Sequence, residues 1–162
     1  MPRLTIMNKS YNDDEALPNV VNYILDGSLY GGVSVDPEHA VEQMLLVKQL
    51  WHKIAGRQVR HFFLSFADYE DVTIDEAMEY GYRIAEYYGG RFQIVFGLHL
   101  NTRHVHLHFA FNTVSYIDGR MYSEGYGEWI HFRDYVQTLF PNWEVTLAVS
   151  NGNGNGMAVE KL

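Results

Sequence analysis

Four histidines, His99, His104, His106 and His108, fall within one short stretch of the chain. In an extended segment alternate residues share a face. His104, His106 and His108 therefore lie on one side, with Val105, Leu107, Phe109 and Phe111 on the other. An upstream segment ending at His99 presents Val95, Gly97 and His99 on a common face. If a tight turn pairs residue 99 with residue 104, Gly97 falls opposite His106, and its missing side chain leaves space for an ion and a phosphate. A single surface histidine would read as solvated. Four on one face, with apolar residues behind them, read as a metal site. The chain has no cysteine, so any ligands must be His, Asp or Glu. An imidazole set with an open position suits Mn, Zn, Ni or Co, and Mg where substrate phosphate supplies oxygen ligands; Mn or Mg is the first expectation.

The segments that must position these side chains follow from hydrophobic period and punctuation. Residues 3–8 read as a strand. Residues 18–26 read as a helix, with Pro18 in its first turn and an apolar stripe of Leu17, Val20, Val21 and Ile24. Tyr23 lies roughly 100° off that stripe, on the flank. Residues 27–35 are a glycine-containing loop. Residues 36–54 read as an amphipathic helix with a stripe of Ala40, Met44, Val47, Leu50, Trp51 and Ile54. Residues 60–66 form a strand. Residues 73–88 form a helix opened by the capping pattern Thr73-Ile74-Asp75-Glu76 and closed at Gly89-Gly90. Residues 91–99 and 103–114 form a hairpin through a Leu-Asn-Thr turn, and a second turn at Asp118-Gly119 leads to 120–122. A helix over 129–140 and a strand over 144–149 complete a domain of residues 1–149. Residues 150–162, with the run Asn151 to Gly156, read as a flexible Asn/Gly-rich tail. Strands and helices in this order, with a hairpin, predict an α+β fold. It is an α/β sandwich whose mostly antiparallel central sheet is covered by helices.

Composition bounds the rest. The chain has 162 residues, 47% of them hydrophobic, which allows one packed core. Neither a signal-peptide pattern nor a membrane-spanning run is present, so the expected location is cytoplasmic. The net charge of −8 works against nucleic-acid binding, which draws much of its affinity from neutralised phosphates. Any DNA binding by this chain alone is expected to be weak and salt-sensitive, with a partner helping.

The run from His99 to Asn112 (HLNTRHVHLHFAFN) resembles a motif of the relaxase/mobilisation nucleases in the HUH endonuclease superfamily. There a first histidine precedes a polar or acidic turn, a His-x-His pair, apolar residues and Asn. Residues 19–26 (NVVNYILD), 36–43 (DPEHAVEQ) and 56–66 (GRQVRHFFLSF) are similar to other segments of that family, in the same order. The resemblance implies an HUH-endonuclease-like fold and a relaxase: a metal-dependent nickase and strand transferase. Such an enzyme cuts single-stranded DNA at an origin of transfer through a 5′-phosphotyrosine, with an accessory relaxosome protein as partner. It implies His99, His106 and His108 as metal ligands and Tyr23 as nucleophile. Hairpin geometry alone leaves His99, His104 and His106 open as another ligand set, and Tyr11 and Tyr30 are rival nucleophiles. His104, Asn101, Arg103, Arg120 and His61 are expected around the ligands or on DNA, with Asn101 standing where many relatives carry Asp. Arg57 and Arg60 are further cations for phosphate. Two other readings remain: a non-catalytic relaxase-like module that binds DNA or protein, and a rolling-circle replication initiator of the same superfamily.

Overall fold

The computed structural model describes residues 1–67, 70–100, 104–124, 126–151 and 159–161. Strand β1 (Arg3–Met7) alternates, sending Leu4 and Ile6 into the core. Helix α1 (Ala16–Ile24) buries the expected stripe of Leu17, Val20, Val21 and Ile24 and leaves Tyr23 outside. Strand β2 (Tyr30–Val33) follows. It occupies the segment expected to be a loop, because Tyr-Gly-Gly-Val carries no hydrophobic alternation. Gly31 is required there: a Cβ would lie 2.6 Å from the Phe96 ring and 2.7 Å from the Tyr82 hydroxyl.

A 3-10 turn (Pro37–His39), with Asp36 accepting from the Glu38 backbone at 3.0 Å, leads into α2 (Ala40–Leu50). This helix is shorter than the expected 36–54, and its inward residues are Ala40, Met44 and Lys48. Leu50 and Ile54, assigned to the stripe from sequence, are 67% and 68% exposed. The helix stops at Leu50 and His52 takes φ 56°, so Ile54 lies past its end. Strand β3 (Val59–Ser65), helix α3 (Ile74–Gly89), strands β4 (Ile94–His99) and β5 (His106–Asn112), helix α4 (Tyr126–Thr138) and strand β6 (Thr146–Ser150) follow. At α3 the capping box forms as read from Thr73 and Glu76. The segment expected as a tail begins inside β6 at the buried Ser150, and its last described residues, Val159–Lys161, form a short edge strand, β7.

The sheet runs β2-β4-β5-β3-β1-β6-β7, and every pairing is antiparallel except β1 with β6. Helices lie on both faces. Against α3 and α4 stands an aromatic-rich core of Phe62, Phe96, Phe109, Phe111, Tyr88 and Phe132, with Phe62 stacked on Phe109 at 4.7 Å. Against α1 and α2 stands a smaller core of Val59, Val95 and Ala110. The expected α+β sandwich is the observed architecture. Among the described residues no helix is long and apolar enough to cross a membrane.

Pairing in the hairpin differs from the expected register. His99 faces His106, and Gly97 faces His108. Strand β5 starts at His106, so His104 lies in the connection outside the sheet. Of the expected Leu100-Asn101-Thr102 turn, Asn101 and Thr102 lie outside the described residues.

Candidate active site

The site lies on the α1 side of the sheet, where β3, β4 and β5 present His61, His99, His106 and His108 beneath the C-terminal turn of α1. Gly97 makes this approach possible. A Cβ at Gly97 would stand 2.0 Å from the Ile24 carbonyl oxygen, so the end of α1 rests directly on the backbone of β4. The space expected beside His106 for an ion is therefore beside His108 instead, and it is filled by the helix. The Ile24 carbonyl also accepts a hydrogen bond from His99 Nε2 at 3.2 Å. A neutral imidazole held in this way carries its lone pair on Nδ1.

Seating α1 here brings Tyr23 over the histidines. Its ring stands edge-on to His99 at 4.9 Å and to His108 at 5.3 Å between centroids. Tyr23 nevertheless remains 52% exposed, open to a substrate. His99 and His108 lie 4.7 Å apart, and His106 lies 5.8 Å from His108. Phe63, half-buried on β3, flanks both His106 (5.7 Å) and His108 (5.1 Å). His104 is exposed and stacks on the outer side of His106 at 6.5 Å. With 99 paired to 106, the set of His99, His104 and His106 loses the register on which it rested.

His61 stands nearer the centre than its sequence reading gave it. Its Nε2 lies 3.1 Å from His108 Nδ1, and its Nδ1 lies 3.3 Å from the Tyr11 hydroxyl. Alternation within β3 places His61 on a definite face. Only the pairing of β3 with β5 puts that face beside His108, and no signal in the chain announced this pairing. A cleft of about 840 Å³ opens from this corner, lined in part by Asn8, Lys9, Tyr11, Asn19, Tyr23 and His61.

Burial favours the neutral form of His61, His106 and His108. It pushes His108 down to about 2, with His61, His99 and His106 adding to the effect. His61 is pushed down to about 4 by burial, then by Lys9, His99 and Arg60. His106 is lowered by burial, then by His104 and His99. Neutral imidazoles are the form that binds a metal. The donor chemistry of His99, His106 and His108 thus fits a divalent ion. As they stand, however, no three His, Asp or Glu side chains among the described residues form a group that could hold one.

The other candidates are scattered. Tyr30 pairs with Gly97 across β2 and β4 but donates its hydroxyl to Glu38. Arg120 lies in the turn beyond the far end of β5, with 88% of its side chain exposed, facing Asp118 at 3.8 Å. Asn101 and Arg103 fall outside the described residues. Arg60 is buried on the opposite face, 2.9 Å from Glu124 and 5.3 Å over Trp129, so it is a core ion pair and not a phosphate contact.

A family model described as the nuclease domain of MobA/VirD2-like relaxases matches residues 19–140, a span that holds Tyr23, His61 and all four clustered histidines. No curated protein and no solved structure matches the chain.

Proposed function

The chain belongs to the MobA/VirD2-like relaxase family through its nuclease domain, and on that premise we propose that it nicks single-stranded DNA at an origin of transfer with Tyr23 as nucleophile. The carrying observation is the exposed Tyr23 ring set edge-on against both His99 and His108. In the reaction the Tyr23 oxygen attacks the scissile phosphorus and the bond from phosphorus to the 3′ oxygen breaks. Tyr23 gives up its proton, and the leaving 3′ oxygen takes one. The products are a 5′-phosphotyrosine and a free 3′-hydroxyl, and the ester retains the energy needed for rejoining.

The protein's own contribution is placement. The end of α1, resting on Gly97, fixes Tyr23 relative to the two histidines. His99 is oriented by the Ile24 carbonyl, and His108 by His61. His99, His106 and His108 would hold a divalent ion, Mn or Mg first, which would supply Lewis-acid stabilisation of charge on the non-bridging phosphate oxygens. The cleft beside Tyr23 and His61 receives the flanking strand, and an accessory protein of the transfer origin adds the positive charge this acidic chain lacks. The proposed location is cytoplasmic.

The test mixes the protein with a labelled single-stranded oligonucleotide carrying its origin sequence and Mn, then looks for a covalent adduct on a denaturing gel. The adduct is expected with the native chain and absent in Tyr23→Phe. Its persistence in Tyr23→Phe and loss in Tyr30→Phe would move the nucleophile. The lack of a ready three-ligand group among the described residues and the charge of −8 favour a second reading, a non-catalytic DNA- or protein-binding module. That reading would be supported by full Mn binding without any adduct on the origin sequence.

A further inference from the structure

Tyr11, His61 and His108 form a continuous hydrogen-bonded chain from the wall of the cleft into the sheet. Tyr11 Oη lies 3.3 Å from His61 Nδ1, and His61 Nε2 lies 3.1 Å from His108 Nδ1. His61 and His108 are 8% and 6% exposed, so neither ring is free to exchange these partners for water.

Each neutral imidazole has one N–H, and two proton arrangements satisfy the chain. In the first, Tyr11 donates to His61, His61 donates to His108, and His108 keeps its hydrogen on Nε2. In the second, His108 donates from Nδ1 to His61 Nε2, and His61 donates from Nδ1 to the Tyr11 oxygen. His108 Nε2 is then a lone pair.

We propose that Tyr11 and His61 are positioning residues that hold His108 in the second arrangement, so that its Nε2 lone pair is available beside His99. Tyr11 lines the cleft, so its hydroxyl can accept from His61 while giving its own hydrogen to solvent. His99, fixed through Nε2 to Ile24, has its lone pair on Nδ1, so the two rings 4.7 Å apart each offer one nitrogen. The backbone supports a dedicated role for Tyr11. It adopts φ 45°, a left-handed conformation that side-chain-bearing residues rarely take. Its carbonyl is pinned by the Gln58 amide at 2.8 Å. That conformation carries the hydroxyl to His61. The same bond engages the Tyr11 oxygen and separates it from the role of nucleophile. What the freed His108 nitrogen meets rests on the metal-assisted reading above; its tautomer does not.

The test reads the tautomer directly. Long-range proton–nitrogen NMR of the metal-free protein is expected to show His108 and His61 with hydrogen on Nδ1. In Tyr11→Phe the terminal acceptor is lost, and His108 is expected to move toward the Nε2–H form. Mn affinity, measured by calorimetry without DNA, is expected to fall about tenfold to a hundredfold in Tyr11→Phe and in His61→Ala. His61→Gln, whose amide can accept from His108 and donate to Tyr11, is expected to recover part of that loss. Tyr23→Phe is expected to leave Mn affinity unchanged. An Nε2–H form of His108 in the native metal-free protein overturns the proposal. So does a Tyr11→Phe variant with both tautomer and Mn affinity unaltered. If the tautomer and Mn shifts occur and no variant gives an adduct, the relay stands and the nickase reading fails.

Discussion

Lys48 shows at residue scale how a helix stripe can mislead. It occupies the inward position of α2 with 1% exposure, and its ammonium lies 3.4 Å from Thr113 Oγ1. Burial pushes it from 10.5 down to about 8. Between those values the unfolded chain holds a proton that the folded chain releases, so stability from this group rises with pH across that window. Below about 8 the full cost of burying the charge is present, roughly 3 kcal/mol. Lys48→Met is therefore expected to stabilise the protein at neutral pH by up to about 3 kcal/mol and to flatten the rise above pH 8. Urea unfolding at neutral and alkaline pH reads both effects, and a less stable variant would contradict the assignment. Asn112 is the contrasting case. It is fully buried and donates to the Met44 carbonyl at 3.1 Å and to Gln93 Oε1 at 3.0 Å. It ties α2 to β5, so Asn112→Ala is expected to cost about 2–3 kcal/mol in the same assay.

At the scale of elements, the close contact of α1 with β4 is what joins Tyr23, the proposed nucleophile, to the histidines. Gly97→Ala places a methyl group where the Ile24 carbonyl sits, so the helix end must lift and Tyr23 must move with it. The expected result is a folded protein of lower melting temperature whose adduct formation falls at least about tenfold, since small misplacements of a reacting group are costly. Equal adduct formation by Gly97→Ala would show that this seating is dispensable. The α3 cap supplies a control on the opposite face. Thr73→Ala removes the capping box and is expected to cost about 1 kcal/mol. It leaves adduct formation unchanged at a temperature where both proteins are folded.

At the scale of the whole molecule, an acidic chain must hold an anionic strand. Of the cleft residues named above, Lys9 alone carries a positive charge. A contact that neutralises one or two phosphates of a single strand gives a shallow salt dependence. Affinity for the origin oligonucleotide is expected to fall about threefold to tenfold between roughly 50 and 200 mM salt. Fluorescence anisotropy measures this. A drop of a thousandfold would mean that many more cations reach the strand. Net charge by itself does not say how few cations face the cleft.

The chain by itself determined what short-range chemistry determines. The stripe of α1, the capping box of α3, the alternation of β5, and the identity of the histidine motif are all local patterns. They were legible because backbone period and side-chain type act within a few residues. Tertiary structure decided what depends on pairing. A slip of two residues along β5 moved the partner of His99 from His104 to His106 and changed what Gly97 faces. The adjacency of β3 and β5 turned His61 from a strand residue of uncertain use into the neighbour of His108. Strand β2 and the inward turn of Lys48 escaped notice for the same reason. Glycine and lysine have no hydrophobic signature, and only their contacts with Phe96, Tyr82 and Thr113 reveal the positions they hold.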